Sequence, residues 1–322
     1  MVQAVVTETK AEFWTWRGHS IRYQRCGEQG PALVLIHGFG ASSDHWRKNL
    51  PDLGQTHRAF AIDLLGYGRS DKPAPGDEVQ YTFETWGELV RDFCREVVSG
   101  PAFFAGNSIG CVVALQAAAY ANGLLDEAVD QNVVDTELMC QGVVMLNCSL
   151  RLLHVRKKHL LPFYRSAPAP LMMKLLANTP IGPFFFSRLA TPKTLRTVLG
   201  QAYGRKEAIT DELIELLLGP AFEPGAVEVF LQFIQYDHGP LAEDLLPQMR
   251  CPVLVLWGEE DPWEPVVQGR AYGDYPMVER FVSLPGLGHC PQDEAPEVVD
   301  PLVRDWTLEV AERDATEPVA GG

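Results

Sequence analysis

The chain has 322 residues, of which 46% are hydrophobic and 21% are charged, a composition typical of a globular enzyme. The formal net charge of −15 disfavours a nucleic-acid partner, because a phosphate backbone is also negative. No apolar run approaches the ~20 residues of a membrane-spanning helix, and Met1–Lys10 lacks both a signal-peptide core and the composition of a transit peptide.

The first third of the chain predicts the start of a parallel sheet. Phe13 to Gln24 alternates apolar and polar residues, which indicates an antiparallel hairpin with its turn at Gly18. The continuous apolar run Pro31–Ile36 then favours a strand covered on both faces. The loop His37-Gly38-Phe39-Gly40 follows directly, and we expect the N–H of Phe39 to serve as one donor of an oxyanion hole.

The next elements alternate between helix and strand. A helix is predicted to begin at Ser42 or Ser43. The next strand is predicted over Arg58–Asp63. The glycine-rich stretch Leu64–Asp71 matches no phosphate-binding spacing, so we interpret it as a structural turn. Tyr81 to Val98 has apolar residues at helical spacing and predicts an amphipathic helix.

The stretch Gly106-Asn107-Ser108-Ile109-Gly110 has the Gly-x-Ser-x-Gly pattern of a nucleophile elbow. An apolar strand pattern precedes it and an apolar helix pattern follows it to about Ala121, which is the context the motif requires. Ser108 is therefore the candidate nucleophile. We expect the N–H of Ile109, at the start of the helix, to be the second oxyanion donor.

A long insertion separates two further core strands. Asn122–Gln141 is acidic, and we interpret it as a surface insertion. Residues 142–147 are interpreted as the next buried strand. The strand signal then disappears up to Pro247, so we divide the chain into an α/β core of residues 1–149 and 248–322 and a helical cap of residues 150–247.

The first half of the cap is unusually apolar and follows a basic stretch that begins at Arg151. Two interpretations are equally favoured and compatible: a cap core packed on the main domain, or a surface for a wide apolar substrate or a membrane. In the second case the cap contacts a membrane peripherally. The candidate substrate-binding residues are Met172, Met173, Phe184, Phe185 and Phe186.

The last third supplies the remaining catalytic candidates. Cys251–Trp257 and Glu279–Leu284 predict strands that are followed by Asp261 and His289, and a helix from Pro296 to Ala311 closes the chain. The order Ser, Asp, His is the order of the α/β-hydrolase fold, and active sites of doubly wound sheets lie at the carboxyl ends of strands. Glu259 and Glu260 compete with Asp261 for the acid, whereas Asn147, after the preceding strand, cannot ionise.

The predicted chemistry is ester hydrolysis. His289 takes the proton of Ser108 during attack on an ester carbonyl, and Asp261 fixes the imidazole tautomer. This mechanism needs neither a cofactor nor a metal. The seven cysteines contain no CxxC pair, so we expect reduced thiols in a reducing compartment and neither a disulfide framework nor a zinc site.

These motifs resemble the α/β-hydrolase superfamily over nearly the whole chain. Within it, several segments resemble the chlorophyll dephytylase and pheophytinase-like family, and Ser108, Asp261 and His289 match its triad. Two features depart from the family: Cys111 stands where a third glycine is usual, and the insertion at 122–141 is longer. The matching segments are Ser43–Asn49, Asp63–Pro73, Tyr81–Trp86, Asn107–Gly110, Ser149–His154, Glu223–Val227, Gly258–Pro265 and Gly288–Glu294.

The resemblance implies hydrolysis of the phytyl ester of chlorophyll-type pigments, in a thylakoid-associated chloroplast setting or its cyanobacterial equivalent, with a transit peptide absent from this chain. The preferred pigment and the oligomeric state stay open. Two alternatives also stay open: a general carboxylesterase or lipase for smaller acyl esters, and a non-catalytic ligand- or pigment-binding module. Epoxide hydrolases share the fold but need an aspartate at the elbow, where this chain has Ser108.

Overall fold

The computed structural model describes residues 8–76, 79–123, 140–157, 186, 188 and 190–316. Within these residues, eight strands form one sheet in the order β1-β2-β4-β3-β5-β6-β7-β8. Strands β3 to β8 pair in parallel, and only β1 and β2 run antiparallel to their neighbours. The strands are β1 (Lys10–Trp16), β2 (His19–Cys26), β3 (Ala32–Ile36), β4 (Arg58–Ile62), β5 (Ala102–Asn107), β6 (Cys140–Leu146), β7 (Val253–Gly258) and β8 (Val278–Leu284).

The hairpin of β1 and β2 turns at two residues with positive φ, Arg17 at 49° and Gly18 at 83°. Two consecutive left-handed residues are the requirement of a tight two-residue hairpin turn, which glycine meets without strain. The predicted turn at Gly18 is therefore confirmed.

Ten α-helices connect or follow the strands in the described part of the chain. They are α1 (Leu50–Leu53), α2 (Phe83–Phe93), α3 (Ile109–Ala121), α4 (Pro192–Ala202), α5 (Asp211–Leu218), α6 (Ala226–Ile234), α7 (Ala242–Leu245), α8 (Val266–Gly269), α9 (Pro291–Glu294) and α10 (Pro296–Thr316).

Two predicted helices differ from the observed ones. The helix expected from Ser42 or Ser43 is a single 3-10 turn, Ser43–Trp46, followed by the short α1, because Pro51 lacks the N–H that a continuous helix would use. The predicted helix of 81–98 begins after its Thr82 cap and changes at Cys94 into a π-helical turn.

Both faces of the sheet are buried, and alternate residues of β3 show it. Val34 and Ile36 belong to one hydrophobic cluster, which includes α2 and α3. Leu33 and Leu35 belong to a second cluster, which includes α10. Because successive side chains of a strand point to opposite faces, a continuous apolar run such as β3 is the expected sequence of a doubly covered strand. The observed fold confirms the predicted mostly parallel, doubly wound sheet.

Helices α4 to α7 lie between β6 and β7, which are adjacent in the sheet. Part of this segment has a small hydrophobic cluster of its own, formed mainly by α4, α5 and Tyr203. The division into an α/β core of residues 1–149 and 248–322 and a helical cap of residues 150–247 stays a prediction. Most of the acidic insertion lies outside the described residues, and β6 begins at Cys140, two residues earlier than predicted.

Candidate active site

Ser108 occupies the strained turn that the elbow motif predicts. It stands between β5 and α3 with φ 58° and ψ −121°, a conformation that is costly for any residue with a Cβ. A Cβ on Gly106 would collide with the carbonyl oxygen of Gly110, and a Cβ on Gly110 would collide with that of Ile36. The two glycines of the motif are therefore required by close backbone approach.

Cys111 occupies the position where a third glycine is usual. Its buried side chain fits because the thiol donates to the carbonyl oxygen of Gly106, with Sγ and O 3.0 Å apart. The elbow thus accommodates a cysteine because the buried thiol has a hydrogen-bond acceptor within the elbow itself.

Asp261 and His289 form a hydrogen-bonded pair at the carboxyl edge of the sheet. The Nδ1–H of His289 donates to Asp261 Oδ2 at 2.7 Å, and both side chains are buried. The other oxygen, Oδ1, accepts the N–H groups of Trp263 at 2.9 Å and Glu264 at 3.1 Å. These bonds fix the carboxylate, which in turn leaves Nε2 of His289 as the nitrogen available for a proton from serine.

Glu259 and Glu260, the competing acids, have exposed side chains. Their backbone N–H groups bond to the carbonyl oxygens of Leu284 and Leu287. The pairing with His289 therefore belongs to Asp261 alone among these three carboxyl groups.

Asn147 supports Asp261 from the neighbouring strand. Its Nδ2 donates to Asp261 Oδ2 at 2.8 Å and its Oδ1 accepts the N–H of Gly258 at 2.8 Å. Asn147 has a φ of 44°, a left-handed conformation that asparagine tolerates better than most residues. The sequence excluded Asn147 as the acid but gave no sign of this supporting role.

The backbone of His289 is hydrogen-bonded to the elbow and to the end of α4. Its N–H donates to the carbonyl oxygen of Ala202 at 2.8 Å, and its own carbonyl oxygen accepts from Nδ2 of Asn107 at 2.9 Å. Asn107 directly precedes Ser108, so the structure brings the His289 loop against the elbow that carries Ser108.

The carboxylate of Glu294 holds the same loop, a role that sequence reasoning missed. It is buried and accepts the N–H of Gly288 at 3.0 Å and that of Cys290 at 3.3 Å, on either side of His289. It also accepts the N–H groups of Gly204 at 2.7 Å and Arg205 at 2.9 Å, just after α4. One side chain thus joins the histidine loop to the chain that follows α4. The sequence offered only a glutamate a few residues after His289 as a signal.

The loop that carries Phe39 passes directly beside Ser108. A Cβ placed on Gly38 would lie 3.1 Å from the Cβ of Ser108. His37 fixes this loop: its Nδ1–H donates to the carbonyl oxygen of Gly38 at 2.8 Å, and its Nε2 accepts the N–H of Leu64 at 3.1 Å. Burial lowers the pKa of His37, which keeps the ring neutral and in this tautomer.

The two expected oxyanion donors therefore flank the serine from different elements. Phe39 follows Gly38 in the loop after β3, and Ile109 is the first residue of α3, whose N–H has no acceptor within its own helix. Their role as donors stays a prediction.

An aromatic surface begins at the Phe39 side chain. Its ring stacks on Phe233 at 5.0 Å between centroids and contacts Phe230 at 5.4 Å, both on α6. Phe186, one of the predicted substrate-binding residues, contacts Phe230 at 5.0 Å. We call Phe39, Phe186, Phe230 and Phe233 the aromatic wall. The other predicted substrate-binding residues, Met172, Met173, Phe184 and Phe185, lie outside the described residues.

Comparison with known proteins gives the family. The sequence profile of the Alpha/beta hydrolase family matches residues 33–301, and the chain belongs to this family. With the fold and the site described above, it is a hydrolase of the group that contains esterases, lipases and epoxide hydrolases.

Several relatives of this chain carry names that specify a reaction. The chain is 25% identical over 334 residues to the chloroplastic pheophytinase of Arabidopsis thaliana, covering 89% of this chain and 63% of that protein, less than two thirds of its length. It is 24% identical over 304 residues to epoxide hydrolase 4 of Mus musculus, covering 92% and 79%. A solved thermophilic esterase from Thermogutta terrifontis shares the fold, with a TM-score of 0.69 and 20% identity over 94% of this chain and 99% of that one.

Proposed function

We propose that this chain is a serine carboxylic-ester hydrolase with Ser108, His289 and Asp261 as its triad. The observation that carries the proposal is the hydrogen-bonded Asp261–His289 pair, whose loop is bonded through Asn107 to the strained elbow of Ser108. A serine at the elbow supports an acyl-enzyme mechanism rather than the aspartate chemistry of epoxide hydrolases.

In this mechanism His289 Nε2 takes the hydroxyl proton as Ser108 Oγ bonds to the ester carbonyl carbon. The N–H groups of Phe39 and Ile109 hold the oxyanion, each worth about 3 kcal/mol in comparable sites. His289 returns the proton to the leaving alcohol and then activates water, which releases the acid and restores Ser108.

The substrate we propose is the phytyl ester of a chlorophyll-type pigment, giving chlorophyllide or pheophorbide plus phytol. The aromatic wall supports it, because a chlorin or a phytyl chain requires a wide apolar surface beside the nucleophile. The similarity to pheophytinase supports the same substrate class.

With this substrate, the helical segment of residues 150–247 serves as a cap over the acyl site. The protein then acts in a chloroplast, or its cyanobacterial equivalent, at a thylakoid surface that the apolar part of the cap contacts. No helix among the described residues is both long enough and apolar enough to cross a membrane.

The direct test is turnover of chlorophyll a and pheophytin a in mild detergent, with products separated by chromatography and p-nitrophenyl butyrate assayed in parallel. We expect wild type to release phytol and the dephytylated pigment. Cleavage of the short ester without pigment turnover would instead assign the chain to esterases or lipases of smaller acyl esters. Failure to cleave either ester or to react with a fluorophosphonate would favour a ligand-binding module.

The aromatic wall predicts that the effect of a substitution within it depends on the size of the substrate. Phe230→Ala removes the ring that joins Phe39 to Phe186, so we expect kcat/KM for the pigment to fall by about 10-fold, as loss of part of an aromatic contact surface implies. Turnover of p-nitrophenyl acetate should change less than about 2-fold, since so small an acyl group does not span the wall. Phe222→Ala is the matched control, because its ring is 66% exposed on the same cap. Equal losses on both substrates would contradict this role.

A further inference from the structure

The indole of Trp263 packs against the imidazole of His289 and is still open to solvent. The two ring centroids are 5.0 Å apart, and the rings meet at 62°. Trp263 is 39% exposed, whereas His289 itself is buried. A large apolar surface is thus left uncovered directly beside the base of the proposed triad, and the mechanism described above does not use it.

The loop after β7 holds this ring through its backbone. The N–H of Trp263 donates to Asp261 Oδ1 at 2.9 Å, and the N–H of Glu264 donates to the same oxygen at 3.1 Å. Pro262 and Pro265 flank these two residues and restrict φ on either side of them. The indole therefore stands on a fixed backbone that is bonded to the acid of the triad.

The proton transfer decides which part of an ester reaches Trp263. His289 Nε2 gives its proton to the leaving oxygen, which requires the two atoms to be about 3 Å apart. The first carbons of the alcohol then lie beside the imidazole, within reach of an indole centred 5.0 Å from it. The carbonyl oxygen instead points to the N–H groups of Phe39 and Ile109, and the aromatic wall begins at Phe39.

Building on the ester hydrolysis proposed above, we propose that Trp263 is a specificity-determining residue, which binds the apolar chain of the leaving alcohol. The substrate class is then an ester of a long apolar alcohol. A flat indole offers a large contact area to such a chain and requires no polar partner from it. A phytyl chain has this chemistry, as do other long alkyl and isoprenoid alcohols.

The test compares two ester series that lengthen opposite sides of the ester bond. Ethyl, butyl and octyl acetate lengthen the alcohol, and ethyl acetate, ethyl butyrate and ethyl octanoate lengthen the acid. For Trp263→Ala we expect the loss of kcat/KM relative to wild type to be about 10-fold larger on octyl acetate than on ethyl acetate, because several methylenes lose an apolar contact. Across the ethyl esters the loss should stay constant within about 2-fold. Titration of the released acid at constant pH measures both series.

Three outcomes would contradict this role. An equal loss on every ester would mean that the indole only packs against His289. A loss that grows with the length of the acid would place Trp263 on the acyl side of the site. Unchanged kcat/KM on every ester would mean that the substrate does not contact the indole.

Two further variants make the result decisive. Val267→Ala is the control, because Val267 is an apolar residue that is 80% exposed a few positions further along the chain, and it should leave both series unchanged. Trp263→Leu keeps an apolar side chain against His289 and replaces the alanine variant if that does not fold. It should show the same dependence on alcohol length with a smaller amplitude, and a constant ratio would overturn the proposal. Absence of ester hydrolysis and of fluorophosphonate labelling in wild type itself would instead reject the proposed function.

Discussion

Replacement of Ser108 by alanine is expected to reduce kcat by about 10⁵- to 10⁶-fold and to abolish labelling by a fluorophosphonate. The fold should survive, because the bonds of this residue to the structure are made by its backbone: its N–H donates to the carbonyl oxygen of Leu146, and its carbonyl oxygen accepts from Ser149. Mass spectrometry of the labelled protein and steady-state kinetics on p-nitrophenyl butyrate measure the two effects.

The same position offers an independent check of the strained elbow. Ser108→Gly should be as inactive as Ser108→Ala but more stable by about 1 kcal/mol, because glycine adopts a φ of 58° and a ψ of −121° without a Cβ penalty. Thermal or urea unfolding of the two variants compares them directly. Residual activity at the wild-type level in either variant would exclude Ser108 as the nucleophile.

Replacement of Asp261 by asparagine is expected to lower kcat by about 10⁴-fold. Each oxygen of this carboxylate accepts two hydrogen bonds, so an amide NH₂ group must face donors wherever it points. The backbone N–H groups at Oδ1 cannot change, whereas His289 and Asn147 at Oδ2 can reorient. The amide NH₂ group should therefore face Nδ1 of His289, so the imidazole proton moves from Nδ1 to Nε2 and Nε2 can no longer act as the base.

The neighbouring carboxyl groups provide the controls for this variant. Glu259→Gln and Glu260→Gln change exposed side chains on the same loop, and we expect kcat to stay within about 2-fold of wild type for both. If one of these controls lost most of its activity while Asp261→Asn stayed close to wild type, that glutamate rather than Asp261 would be the acid of the triad. The kcat values of the three variants relative to wild type, measured at one pH, are sufficient to identify the acid.

Contacts between residues far apart in the chain were not predictable from the sequence. Asn147 and Asp261 are 114 residues apart, and Glu294 bonds to Gly204 across 90 residues. Such bonds join a side chain to groups that only the packing of separate elements brings close, and no local periodicity encodes them. The same limit applies to the stacking of Phe39 on Phe233 of α6.

The sequence by itself determined the doubly wound sheet and the residues that stand at its functional edge. Continuous apolar runs identify doubly covered strands, glycine spacing identifies the elbow, and parallel strands bring Ser108, Asp261 and His289 to one edge because their carboxyl ends meet there. Only the tertiary structure decided which carboxyl group pairs with His289 and how Asn147 and Glu294 hold the surrounding loops. Those choices depend on burial and on hydrogen-bond geometry between loops, which exist only after the sheet has assembled.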